Sequence, residues 1–255
     1  MNEKHYIPGI YNYCDNWCQR CAFTSRCRSY ARQHAAGSPD PDNFVEAVSD
    51  QFDQVKDMLQ QTASRLGISL DVEGPEAAEH VADHLEQRRQ LRQHPLAVYT
   101  LLYANQARAW LRSQDADEAA REWTRKLELG LLTEEQVQAE MDELREPLEV
   151  IAWYMHFLHV KTCRALASRA SDTGWSAANG YPSDADGSAK VALIACERSI
   201  AAWNAVLLLK PEAEDEILDL LALLQQLSRD IANEFPGYAA FRRPGFDDEA
   251  AGDNL

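Results

Sequence analysis

The sequence predicts an all-α protein, a helical bundle of about six or seven helices with a long kinked central helix and an N-terminal four-cysteine metal knot. Three observations carry that reading. Glycine is scarce, 11 in 255 residues, so few positions break a helix. Apolar residues recur at steps of three and four along most of the chain. No stretch alternates apolar and polar residues with the β-branched enrichment of a strand. The expected divisions are a knot over 1–38, a bundle over 39–246 and a disordered acidic tail over 247–255.

The knot comes first. Tyr13 to Tyr30 reads YCDNWCQRCAFTSRCRSY, which sets Cys14, Cys18, Cys21 and Cys27 at the spacing C-x3-C-x2-C-x5-C. Thiolates are soft ligands, and four converging on one point suit zinc or an iron-sulfur cluster. Asp15 is expected to cap a helical turn that aligns Cys14, Cys18 and Cys21 on one face. Thr24 or Ser25 is expected to cap a second turn, through Cys27 to about His34. Tyr11, Tyr13, Trp17, Phe23 and Tyr30 are interleaved with the cysteines, to shield the site from water or to dock the knot on the bundle.

The segment CQRCAFTSRCRSY resembles the iron-sulfur loop of the endonuclease III and adenine glycosylase family, whose last three ligands share the C-x2-C-x5-C spacing. It is also similar to the ending found in RecB-type nucleases with a 4Fe-4S cluster, where an aromatic residue follows the middle cysteine by two positions, as Phe23 does here. The resemblance implies Cys18, Cys21 and Cys27 as three cluster ligands and Cys14 as the fourth. It covers residues 14–30 only. The Cys14 to Cys18 gap is shorter than in the glycosylases, and neither a helix-hairpin-helix glycine turn nor a nuclease acidic motif accompanies it. What it implies is therefore a cluster and not DNA chemistry. Cys14, Cys18 and Cys21 also imitate the C-x3-C-x2-C of radical SAM enzymes, but those need a β/α barrel.

After the break at Gly37 to Pro41, Asp40 and Pro41 form a cap and first-turn pair. Val45, Val48, Phe52, Val55, Leu59 and Leu66 then make an apolar stripe closed by Gly67. Gly74-Pro75 opens a second helix with Ala78, Val81, Ala82 and Leu85 inward, and Pro95 a third through Tyr99, Leu102, Tyr103, Gln106 and Trp110. A short fourth runs from Asp115 to Leu129. Thr133 with Gln136 makes a capping box for the long helix, striped by Val137, Met141, Leu144, Leu148, Ile151, Met155, Leu158 and Thr162. It reaches about Ala170, roughly 57 Å, with a kink expected at Pro147. A polar linker over 171–187 follows, in which Asp184 and Asp186 read as capping residues. Ser188 to Lys210 is a second nearly all-apolar helix. The last helix carries Ile217, Leu220, Leu224, Leu227 and Ile231, and Tyr238 to Phe246 is expected to pack back on the bundle.

The formal charge of −16 weighs against nucleic acid or an anionic membrane as partner. Residues 1–38 nevertheless carry five basic against two acidic side chains, a surplus of three. With no signal-like segment at the N-terminus, the expected compartment is cytoplasmic, where clustered cysteines signal metal before disulfides. The leading reading is a 4Fe-4S protein acting as a redox or regulatory module with a protein redox partner. One alternative is a helical interaction protein with a structural Zn2+ on the same cysteines and a basic protein partner. Another is an enzyme with a carboxylate and histidine pocket between the central helices, for which Glu149, His156 and Glu197 are the candidates. A buried Glu197 paired with Lys161 or Arg164 is the structural reading of the same residues. Glu76, His80, His84 and Gln87 read as a solvated helix face, and Cys163 and Cys196 as small core residues. The chain has no GxGxxG, Walker loop or serine elbow.

Overall fold

Thr133 and Gln136 satisfy each other as the sequence predicts. The Gln136 amide donates to Thr133 Oγ1 at 3.3 Å, and the Thr133 amide to Gln136 Oε1 at 2.9 Å. From this box the longest helix runs 37 residues, Glu134–Ala170, with Pro147 inside it. The computed structural model describes residues 5–35, 44–67, 75–113, 116–174, 178 and 182–247. Among the described residues there are eight α-helices and no strand: α1 (Arg28–Ala35), α2 (Phe44–Leu66), α3 (Pro75–Gln93), α4 (Pro95–Ser113), α5 (Ala116–Glu128), α6 (Glu134–Ala170), α7 (Asp184–Leu209) and α8 (Glu214–Glu234). Gly67 and Gly130, at φ of 67° and 66°, stop α2 and the turn after α5 in the left-handed region that glycine takes most readily. The Asp40-Pro41 cap and the tail from 248 onward lie outside the described residues.

The chain divides into two compact units, residues 1–12 with 16–89, and residues 13–15 with 90–255. In the second, α6 and α7 pack against each other most extensively, and α4 and α8 complete the bundle. Ile151, Leu158 and Ala165 of α6, and the small residues Ala189, Ala192, Ala195 and Cys196 of α7, are all fully buried. Each of the two helices is packed on more than one side, which is why both tolerate apolar residues nearly all round. Trp203 of α7 donates its indole N–H to the Tyr103 hydroxyl at 3.1 Å and meets Trp110 edge-on at 4.9 Å. Ile217, Leu220, Leu224, Leu227 and Ile231 of α8 are all buried, as their spacing predicts. By length and composition alone α7 is long and apolar enough to cross a membrane. Half of its most apolar stretch is covered inside the bundle.

Several faces differ from expectation. On α4 the buried line is Leu96, Ala97, Thr100, Tyr103, Ala104, Ala107 and Trp110, while Tyr99 and Leu102 are exposed. The alanines, weak hydrophobic signals in a sequence, set the contact face because they permit close approach. On α2, Phe52, Val55, Leu59 and Leu66 are exposed, as are Val81 and Leu85 on α3. An apolar period defines a face without supplying its partner. Helix α7 starts at Asp184, four residues before the expected Ser188, and its cap is Ser183, whose hydroxyl accepts from the Asp186 amide at 3.1 Å. Asp247, assigned to the tail, is instead clamped by Arg243 and Lys190.

Candidate metal centre

No helical turn covers Cys14 to Cys21. Asn16 stands at φ 57°, outside the helical region, so the three cysteines do not share a helix face. Asp15 is correspondingly not a cap. In the first unit two short 3-10 turns, Cys18–Arg20 and Thr24–Arg26, repeat one local design. Each ends in a cysteine with extended backbone whose amide closes the turn, Cys21 onto the Cys18 carbonyl and Cys27 onto the Thr24 carbonyl, both at 3.2 Å. The next amides then turn onto the sulfurs. Phe23 N–H points at Cys21 Sγ at 3.4 Å, and Tyr30 N–H at Cys27 Sγ at 3.5 Å. The Ile7 amide bonds the Arg26 carbonyl at 3.0 Å, tying the leading segment to the second turn.

Cys14 belongs to the other unit, in the segment Tyr13–Asp15. Trp153 donates its indole N–H to the Asp15 carbonyl at 3.0 Å, and Tyr154 its hydroxyl to Asp15 Oδ2 at 2.7 Å. Arg198 of α7 pairs with the same carboxylate. Tyr13 is buried edge-on against Phe241 at 4.7 Å, and its hydroxyl donates to Asp184 Oδ1 at 3.1 Å. Arg164 forks onto Asp184 at 2.6 and 3.2 Å, and Ser168 adds a bond at 2.6 Å. Three consecutive residues are thus pinned on α6 and α7 by both neighbours of the cysteine.

Lys161 of α6 lies beneath this segment, only 5% exposed. Burial, then the neighbouring Arg164 charge, lowers its pKa. The charges acting the other way are Cys14 first, then Asp184 and Asp15. Both aspartates face an arginine, Asp184 facing Arg164 and Asp15 facing Arg198. Burial raises the Tyr13 hydroxyl to about 12, helped by the Asp184 charge. Burial also pushes the Asp184 carboxyl up, but its bonds from Arg164, Ser168 and Tyr13 outweigh that and hold it below the ordinary range.

No known protein family, curated protein or solved structure matches this chain. Its chemistry therefore rests on its own side chains. All six cysteines are free thiols, with Cys14, Cys18, Cys21 and Cys27 half-buried. Among the described residues no group of three or more His, Cys, Asp or Glu side chains stands arranged around a metal position. What the chain offers is four N-terminal thiols, two of which accept backbone amide hydrogen bonds.

The residues of the expected carboxylate and histidine pocket lie at the surface. Glu149, His156 and Glu197 are each exposed, and the acid on Arg164 is Asp184. Glu197 lies on the solvent side of α7, where burial makes no demand for a partner. His159, one helical turn from His156, sits at 3.0 Å from Thr100 Oγ1 and 3.6 Å from Cys163 Sγ. Burial lowers its pKa and raises that of Cys163, which keeps the pair neutral, unlike an activated thiolate and imidazolium. Cys196, fully buried with a thiol pushed up to about 12, is a core residue. On the face assigned to solvent His84 is exposed and Gln87 half-buried, while the side chains of Glu76 and His80 lie outside the described residues. The sequence signal for the Asp15 and Asp184 anchors was the row of cations Lys161, Arg164 and Arg198 on otherwise apolar helices.

Proposed function

We propose that this protein is a helical redox or regulatory module that holds a 4Fe-4S cluster through Cys14, Cys18, Cys21 and Cys27. The observation that carries the reading is the pair of amide hydrogen bonds onto the sulfurs of Cys21 and Cys27. A neutral thiol is a weak acceptor, whereas a thiolate gains from each N–H directed at it. Lys161, buried on α6, acts electrostatically on Cys14. A four-thiolate set fits the group in donor type and number, and metal binding to such a set is coupled to local folding.

A cluster bound there supplies one-electron chemistry. The chain contributes the rest. Cys14 is fixed from both sides by Tyr13 and Asp15, amides polarise Cys21 and Cys27, and Lys161 offsets negative charge on the buried side. Anaerobically purified protein should be brown, with a broad visible charge-transfer band and iron and acid-labile sulfide in equal amounts. Colourless protein holding one zinc per chain would replace this reading by a structural zinc site on the same residues.

A further inference from the structure

We propose that the arginine-rich stretch from Arg20 to Arg32 docks a small acidic electron-carrier protein. This rests on the metal reading above and names the partner of that site. From Asn16 to Pro39 the chain holds Arg20, Arg26, Arg28 and Arg32 and no acidic residue, in a protein with 41 acidic residues overall. All four arginines are exposed. Arg20 precedes Cys21 directly, Arg26 and Arg28 bracket Cys27, and Arg32 lies one turn beyond Arg28 on the same face of α1. The Arg20 guanidinium stacks over the Trp17 ring at 4.2 Å.

Exposure decides what these charges do. An exposed arginine is screened within about 10 Å and does little to offset charge on a half-buried centre. The covered cation Lys161 is better placed for that task. A basic patch on an otherwise acidic body instead orients an acidic partner, attracting it here and repelling it elsewhere. A compact carrier touches the patch alone. A nucleic acid strand extends past it and meets the charge of a chain at −16. What the docked pair exchanges is one electron, lost by the carrier's reduced centre and gained at the cysteine-held centre, with no bond made or broken.

The test uses full-length protein with iron and sulfide measured on the same sample. The probes are a plant-type 2Fe-2S ferredoxin, a flavodoxin and a twenty-nucleotide oligo-dT, titrated at low and high salt. At least one carrier should bind and weaken by about tenfold or more between roughly 50 and 200 mM salt. The combined variant Arg26→Glu, Arg28→Glu, Arg32→Glu should lose about tenfold or more again. The corresponding lysine variant should retain binding, and Arg145→Glu, on α6, should leave it unchanged. No carrier binding at low salt, binding indifferent to the reversal, or tighter binding of the oligonucleotide would overturn the proposal. Carrier binding by iron-free protein keeps the docking face and discards the metal reading. Iron-loaded protein that ignores both carriers does the opposite.

Discussion

Gly187 lies so close beneath Tyr13 that a Cβ built on it falls 2.4 Å from Tyr13 Cε1 and 2.5 Å from Phe241 Cζ. Neither ring is free to retreat. Tyr13 is anchored through its hydroxyl on Asp184, and both rings are buried with Val191 and Phe157 around them. Alanine is the better helix former by about 1 kcal/mol, but overpacking of this kind typically costs about 1–3 kcal/mol. Gly187→Ala should therefore lower the melting temperature, and adding Phe241→Leu should recover part of the loss. A Gly187→Ala protein as stable as the parent would contradict the contact.

The Asp184 cluster predicts a pH dependence. Bonds from Arg164, Ser168 and Tyr13 outweigh burial and depress the carboxyl below its ordinary 3.8. A carboxyl with a lower pKa in the folded chain adds stability that is complete above the unfolded value and disappears as pH falls through the folded one. Urea midpoints of the parent and Asp184→Asn should thus differ at pH 7 and converge below about pH 4. Parallel curves across that range would show that the carboxylate is not stabilised by these neighbours.

How far the sequence could be read depended on whether a signal was local. The Thr133 and Gln136 box, the glycine stops and the α8 stripe each involve residues a few positions apart, and all appear as expected. Asp15 has good local capping chemistry but is recruited by Tyr154 and Arg198, more than a hundred residues away. Arg164 takes Asp184 across the linker, and Glu197, the nominal candidate, stays in solvent. Those choices depend on the register between α6 and α7, which no local pattern encodes. The α4 face was misphased for a related reason, since alanines contact by proximity more than by hydrophobicity.

The chain after α8 returns to the bundle and is fastened at Asp247. Its carboxylate receives the Arg243 amide at 3.0 Å, the Arg243 guanidinium at 2.9 Å and Lys190 Nζ at 2.8 Å, while Lys190 also donates to the Phe241 carbonyl at 2.6 Å. These bonds, outweighing burial, hold the Asp247 carboxyl far below the usual range. Asp247→Ala leaves two largely covered cations without their shared anion, a loss of about 1–3 kcal/mol. Limited proteolysis should then cut within 236–247 sooner than in the parent, and unchanged cleavage would mean that the Phe241 contact alone holds the segment.

The cysteines can be sorted by single serine substitutions, because a serine hydroxyl is not deprotonated near neutral pH and is a hard, poor ligand for a soft metal centre. On the proposed reading Cys14→Ser, Cys18→Ser, Cys21→Ser and Cys27→Ser should each lower bound iron and visible absorbance, through loss of one of four donors. Cys163→Ser should leave both unchanged, since burial keeps that thiol protonated beside a neutral His159. Cys196→Ser should also keep the iron but lower the melting temperature, because it puts a hydroxyl among the fully buried residues of α7, at a cost of about 1–3 kcal/mol. Cys14→Ser is the most informative of the six. Its neighbours Tyr13 and Asp15 would still be pinned to α6 and α7, so the fold of the bundle should survive and any loss of iron would report the sulfur itself. Full iron retention by Cys14→Ser alone would reduce the site to three cysteines and remove Lys161 from its chemistry.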